Sequence, residues 1–342
     1  MIKVLIVDDS AFMRMTIRKM LEIDPSMKVI GVARNGMEAI EKSLILKPDV
    51  ITMDMTMPDM DGIEAVEKIM YQNPTPIIMI SAITRAGANA TIRALEKGAI
   101  DYVNKSELNP DILIKKIYLA ADIGKRMAKN SNTSNFNSIN IDNIQPPANN
   151  RIEQNFSVVG IGISTGGPKA LNQVIPLLNA NLPVAILIAQ HMPPLFTRSL
   201  AERLDSVSKI KVKEAEDGEK ILSGNAYICP GGMHMAIEKP DIITLYPKSK
   251  FNYLYVPSVD LLMASIGNTY GKEGLCIIMT GMGSDGLAGI KSAKEKGSYV
   301  LAQSEASSTI YGMPKAIIEN KLQDEIVDLK NMAERINCLC SP

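Results

Sequence analysis

Residues 160–168 read GIGISTGGP, an apolar strand end that runs straight into a helix start. Its glycines suggest a loop that wraps a phosphate, and its Ser164-Thr165 pair suggests a nucleophile on a tight turn. A dinucleotide loop needs G-x-G-x-x-G and an acid about 20 residues on, at the end of the next strand. Here Gly160 and Gly162 are followed by Thr165, and the next strand ends AQH at His191. A Walker loop needs Gly-Lys-Ser/Thr, which is absent from the stretch. The cofactor readings therefore fail. Ser164 at a strand-to-helix turn presents a hydroxyl at the sheet edge, beside the unpaired N–H groups of the helix start.

What the phosphate reading lacks, the nucleophile reading supplies. An imidazole titrates near ~6.5, so His191 at the end of a neighbouring parallel strand can take a serine proton. A third strand, LCIIMT, ends in GMGSDG and carries Asp285 to the same edge, where an acid fixes the imidazole tautomer. The order Ser…His…Asp differs from that of α/β-hydrolases, chymotrypsin and subtilisin. Gly281 and Gly283 flank Met282, whose amide is a candidate oxyanion donor; losing one such donor typically costs ~10²–10³ in rate. Ser164 could instead be a helix N-cap. His191 could be a core residue, with His234 of PGGMHM as the base. Cys229 in ICPGG has no activating neighbour and is expected to pack in the core.

Outward from this stretch, the chain of 342 residues is comfortable for two domains. Residues 1–123 alternate apolar runs (KVLIV, KVIGVA, VITM, PIIMIS, IDYV) with amphipathic stretches, and Pro110 opens a fifth helix. That pattern predicts an α/β fold, a (βα)5 doubly wound parallel sheet ordered 2-1-3-4-5. Residues 124–152 read as a linker: the stretch 130–150 holds eight Asn in 21 residues and ends beyond Pro-Pro. Residues 153–342 predict a second α/β domain, mostly parallel, with a hairpin-rich middle (EAEDGEKILSGNAYICPGG and MAIEKPDIITLYP) and a helix after Pro257.

In the first sheet Asp8 and Asp9 end strand one and Asp54 ends strand three, so three carboxylates converge. They repel unless a cation joins them, and an oxygen-only, partly hydrated site suits Mg²⁺. Ser81 ends strand four and Lys105 follows strand five. A cation, a hydroxyl and an ammonium around one carboxylate are what an aspartyl-phosphate requires.

Lys+Arg and Asp+Glu each total 37. Neither half is basic (15 against 17 acids through residue 123, then 22 against 20), which argues against a nucleic-acid partner. MIKVLIVDDS has no signal-peptide form, and runs such as VAILIA fall far short of the ~20 residues of a membrane helix. Cytoplasmic location without membrane insertion is expected. The four cysteines show no CxxC spacing, and Cys338-x-Cys340 is expected to be a frayed, reduced tail.

VDDS, Asp54 followed by MPDMDG, Ser81-Ala82 and Lys105 make residues 1–123 resemble a response-regulator receiver, with Lys105-Ser106 where that family usually has Lys-Pro. The resemblance implies Asp54 as phosphoacceptor, Asp8 and Asp9 binding Mg²⁺ beside the Thr56 carbonyl, and Ser81 with Tyr102 as a switch pair. GIGISTGGPKAL, IAQHMP, YICPGGMHM, VPSVDLLMAS, TGMGSDGLAG and SSTIYGMPKAI, spanning about 158–318, resemble the catalytic domain of the chemotaxis protein-glutamate methylesterases. That family implies a phosphorylation-activated serine hydrolase with Ser164, His191 and Asp285 as its triad and no metal in this domain. Its partners would be methylated chemoreceptors as substrate and a chemotaxis histidine kinase as phosphodonor, and its resting receiver would cover the catalytic face. Two rival readings are a serine esterase or amidase acting elsewhere, and a phosphorylation-gated docking module with an inert triad. On the favoured reading, Gly160 and Gly162 let strand and helix pack closely, and Gly166-Gly167 leave room for a protein substrate.

Overall fold

Long aliphatic and β-branched runs bury both faces of a strand, which is the requirement of a parallel sheet covered by helices. The computed structural model describes residues 1–82, 84–132 and 154–341. The first unit runs β1 (Ile2–Val7), α1 (Ala11–Leu21), β2 (Met27–Ala33), α2 (Gly36–Leu46), β3 (Val50–Asp54), α3 (Gly62–Gln72), β4 (Ile77–Ser81), α4 (Arg85–Glu96), β5 (Asp101–Asn104) and α5 (Pro110–Asn132). Its strands lie in the order β2-β1-β3-β4-β5, all parallel, as the alternation predicts. Every residue of β3 and β4 is buried. Ser10, Asn35, Asp61 and Thr84 cap α1 to α4, each accepting an N–H from the first helical turn.

The second unit runs β6 (Val158–Ile163), α6 (Gly167–Val174), β7 (Ala185–Gln190), α7 (Phe196–Val207), β8 (Lys211–Glu214), β9 (Asn225–Ile228), β10 (Met233–Lys239), β11 (Ile242–Pro247), α8 (Val259–Tyr270), β12 (Gly274–Ile278), α9 (Leu287–Glu295), β13 (Tyr299–Gln303), α10 (Met313–Glu319), β14 (Glu325–Val327) and α11 (Leu329–Cys340). Seven strands form one sheet, β14-β13-β12-β6-β7-β9-β8, and β10 and β11 form an antiparallel hairpin. β6 lies between β7 and β12, so the chain reverses direction across the sheet at β6. In open α/β sheets that switch point is where ligands bind. α8 lies directly over β6: a Cβ at Gly160 would come 2.4 Å from Ile266, and one at Gly162 would come 2.2 Å from Val259. The close packing expected of these two glycines is present.

Three features differ from the sequence reading. β8 and β9 pair in parallel as the edge of the main sheet, although Asp217-Gly218 and Ser223-Gly224 carry hairpin chemistry. Their connecting segment turns away and pairs with β11 instead, through the Lys220–Ile242 bridge and the Ile221 N–H to the Asp241 carbonyl at 2.8 Å. α5 continues to Asn132, past the expected end of the first domain at 123; the remainder of the linker, 133–152, lies outside the described residues except in name. The C-terminal cysteines are not a frayed tail. Both lie on α11, and Cys340 is buried in the core while Cys338 is exposed.

The two units pack against each other through α4, which contacts α6 and α7. Ala88 and Ile92 of α4 belong to the same apolar cluster as Phe196 and Leu200 of α7. Tyr102 stacks on Phe196 with ring centroids 4.8 Å apart and planes at 12°. Ion pairs Arg85–Glu202 (2.8 Å) and Arg203–Glu96 (2.7 Å) rim the contact.

Candidate functional site

Three parallel strands deliver three side chains to one edge. Ser164 follows β6, His191 follows β7, and Asp285 lies in the loop between β12 and α9. The backbone ties these ends together. The Ser164 N–H donates to the Thr280 carbonyl (3.0 Å), the His191 N–H donates to the Ile163 carbonyl (3.1 Å), and Gln190 Nε2 donates to the Ser164 carbonyl (3.0 Å). Ser164 is not the helix cap: Gly166 holds that position, with φ +80. A Cβ at Gly281 would come 2.7 Å from Ser164 Cβ and 2.3 Å from Met313 Sδ. Only glycine lets the two loops meet there.

His191 Nε2 lies 2.7 Å from Asp285 Oδ2. Its other nitrogen, Nδ1, is buried with no hydrogen-bond partner. The ring lies flat on Tyr255, with centroids 4.5 Å apart and planes at 7°. Asp285 also accepts the N–H groups of Val259 (2.8 Å) and Asp260 (3.0 Å) at the start of α8. Burial alone would raise its carboxyl, but the His191 bond and charge and the two amides outweigh burial and hold it below the usual carboxylate range. An anion at a helix N-terminus is favoured by the orphan N–H groups there.

Met282 lines the same cleft as Ser164 and His191, and among the described residues its amide donates to no protein acceptor. The neighbouring Gly281 N–H is already given to the Ile310 carbonyl at 3.0 Å. Gly166 and Gly167 do not make room for a substrate. A Cβ at Gly166 would come 2.6 Å from Thr309, and one at Gly167 would come 1.9 Å from Gln190 Oε1, so protein already fills that space.

His234 is fully buried, and its Nδ1 accepts the Ser258 N–H at 3.1 Å, with Phe251 and Tyr253 against its ring. Burial pulls its pKa down, so it is a neutral structural acceptor. Cys229 packs in the core as expected, its thiol pushed well above the usual range by burial. Tyr255 lies outside every motif quoted above, and Gln190 and Thr280, though inside IAQHMP and TGMGSDGLAG, carry no role that the sequence shows; all three reach the site only through tertiary packing.

The cleft, of ≈ 410 Å³, is closed on its far side by the first unit, whose Asp101, Tyr102 and Lys116 line it with Ser164, His191 and Met282. Asp101 Oδ2 lies 3.3 Å from Thr165 Oγ1, beside Ser164, and 2.5 Å from Lys116 Nζ. Arg126 of α5 donates to the Thr309 carbonyl at 2.9 Å.

The second cluster lies at the carboxyl edge of the first sheet. Asp8, Asp9 and Asp54 each bring a carboxylate oxygen within 4.8 Å of the others. Lys105 Nζ is 2.8 Å from Asp54 Oδ1 and 3.7 Å from Asp8 Oδ2. Burial and then the Asp54 charge raise the Asp8 carboxyl, and Asp8 Oδ2 is a buried oxygen without a hydrogen-bond donor. An all-oxygen set with an unsatisfied buried acceptor fits a hard divalent cation. Ser81, fully buried, accepts the Thr91 hydroxyl at 2.8 Å, and none of its hydrogen bonds reaches Asp54. Thr56 is exposed in the loop after β3.

A family model described as "CheB methylesterase" matches residues 159–336, and one described as "Response regulator receiver domain" matches residues 4–118. The chain is 44% identical over 353 residues to a protein-glutamate methylesterase/protein-glutamine glutaminase of Lawsonia intracellularis, covering 98% of each chain. A protein of that name from Halalkalibacterium halodurans is also 44% identical, over 99% of this chain and 98% of its own. The solved catalytic domain of Thermotoga maritima CheB methylesterase is 38% identical, with a TM-score of 0.51, over 53% of this chain and 97% of that one.

Proposed function

Because this chain belongs to the CheB methylesterase family, with a receiver domain ahead of the catalytic one, we propose that it hydrolyses glutamyl γ-methyl esters on chemoreceptors. The products are methanol and a glutamate side chain, and receptor glutamines are deamidated by the same chemistry. The receiver runs to the end of α5 at Asn132, the linker lies between it and the methylesterase domain of 153–342, and the protein acts in the cytoplasm. One observation carries the reading: His191 has one nitrogen on Asp285 at 2.7 Å and the other bare, in a cleft shared with Ser164.

With Nε2–H donated to Asp285, the lone pair lies on Nδ1, which takes the Ser164 proton as Oγ attacks the ester carbonyl. The Met282 amide holds the oxyanion. The imidazolium, stabilised by Asp285, returns its proton to the departing methoxide, and methanol leaves. Water, deprotonated by Nδ1, then attacks the acyl-serine and frees the receptor carboxylate.

In the receiver, Asp54 takes a phosphoryl group from a histidine kinase. Mg²⁺, held by Asp8, Asp9, Asp54 and the Thr56 carbonyl, would supply charge neutralisation at the phosphoryl oxygens. Lys105 adds a point charge there, and Ser81 and Tyr102 report the event to the interface. Phosphorylation adds about −1.5 to −2 charges and uncovers the cleft.

The direct test is methanol release from methyl-labelled chemoreceptor in membranes, with and without acetyl phosphate and Mg²⁺. Release that rises on phosphorylation is expected. Hydrolysis of a small ester without methanol from the receptor would instead support the rival esterase. No ester hydrolysis at all would support the docking module.

The covering role has its own test in Ile92→Asp. Ile92 is 2% exposed in the contact, and a carboxylate there must be desolvated without a partner in the closed state but faces water in the open one. The unphosphorylated rate is expected to rise at least about tenfold, since 1.4 kcal/mol already shifts a two-state balance that far. An unchanged resting rate in the folded variant would remove the receiver as a cover.

A further inference from the structure

We infer that Asp260, through the first turn of α8, is a positioning residue for the Asp285–His191 pair. The inference rests on the functional reading above and adds a role to it. Asp260 touches neither Ser164 nor His191 by any hydrogen bond among the described residues. Its Oδ1 accepts the N–H groups of Gly286 (2.9 Å) and Gly289 (2.8 Å), the orphan donors at the start of α9. Asp285, one residue before Gly286, does the same for α8 through Val259 and Asp260. Each helix is thus capped by the carboxylate at the head of the other.

The exchange fixes where Asp285 stands. Gly286, with φ +101, can neither swing outward without breaking its bond to Asp260 nor move inward against Val259, which a Cβ would meet at 2.9 Å. Gly289 lets α9 come so near that a Cβ there would lie 2.3 Å from the Asp260 carbonyl oxygen. Losing the Asp260 acceptor frees one side of the loop, so Asp285 loses its set direction toward His191 Nε2. The titratable groups facing Asp285 are His191, Asp260, His234 and Tyr253. Burial raises the Asp260 carboxyl, and the Asp285 charge adds to the effect, as expected of two acids in one pocket.

The test uses the full chain activated with acetyl phosphate and Mg²⁺, with kcat and KM for methanol release measured separately. Asp260→Ala is expected to lower kcat by about 10–100-fold with KM unchanged, the range typical of supports behind a functional side chain. Asp260→Asn keeps one oxygen for both amides and is expected to recover kcat to within about threefold of wild type. Wild-type kcat in Asp260→Ala, a loss confined to KM, or an Asn variant as poor as the Ala variant would each overturn the inference. Should Asp260→Ala fail to fold, Asp260→Glu displaces the oxygen by one methylene and is read by the same two outcomes. Fluorophosphonate labelling of Ser164 runs in parallel. Labelling without methanol release by wild type would strike the receptor as substrate, and the relative labelling rates would then decide the role of Asp260.

Discussion

Ser164→Ala is expected to lower phosphorylation-stimulated methanol release by at least about 10⁴-fold. Removing the serine of a triad alone costs about as much as removing the whole unit, roughly 10⁶ in a well-studied case. What survives comes from the oxyanion amide and from binding. The variant should fold, since Ser164 Oγ makes no hydrogen bond among the described residues and the turn is held by the Ser164 N–H on the Thr280 carbonyl and by the Gln190 side-chain amide on the Ser164 carbonyl. Receptor binding should persist as well. The measurement is labelled methanol counted from receptor membranes, with a thermal melt of both proteins as the control for folding. Release within about tenfold of wild type would remove Ser164 as the nucleophile, because no interaction energy elsewhere in the cleft can replace a covalent intermediate.

The second large effect is loss of control. Asp54→Asn should show no rise in methanol release on addition of acetyl phosphate and Mg²⁺, where wild type should rise about tenfold or more. An amide cannot form the acyl phosphate, yet it keeps the shape of the side chain between Met55 N–H and Lys105. Resting activity should therefore be retained. Chelation of the divalent cation should reproduce the phenotype in wild type, since three acids within 4.8 Å of one another cannot otherwise accept a further anionic group. Equal stimulation of Asp54→Asn and wild type would sink the switch.

The positions of the candidate site residues were legible where one residue sits at one strand end. Asp8, Asp54, Ser81, Lys105, Ser164, His191 and Asp285 all follow or end buried apolar runs, and a doubly wound sheet sends such positions to a single edge. The same logic was silent on what surrounds them. Tyr255 lies under His191, and Asp260 lies behind Asp285, because helix α8 folds back over β6; no local spacing encodes that contact. The glycines were half legible. Gly160 and Gly162 mark a close helix, but Gly166 and Gly167 abut Thr309 and Gln190, side chains brought in by distant segments. Turn chemistry at Asp217-Gly218 and Ser223-Gly224 spoke for a hairpin, and the tertiary pull of β11 redirected it. Which nitrogen of His191 faces the acid was likewise beyond reach of the sequence.

The contact between the two units has a thermal consequence. Ala88, Ile92, Tyr102 and Phe196 form its centre, while its ion pairs stay at the rim. Separating an apolar contact exposes it to water and raises the heat capacity, so the free energy that holds the two units together is curved in temperature. It weakens on cooling as well as on heating. If the receiver is the cover proposed above, the unphosphorylated protein has a temperature of least leakage, set by the solvent rather than by the chemistry in the cleft.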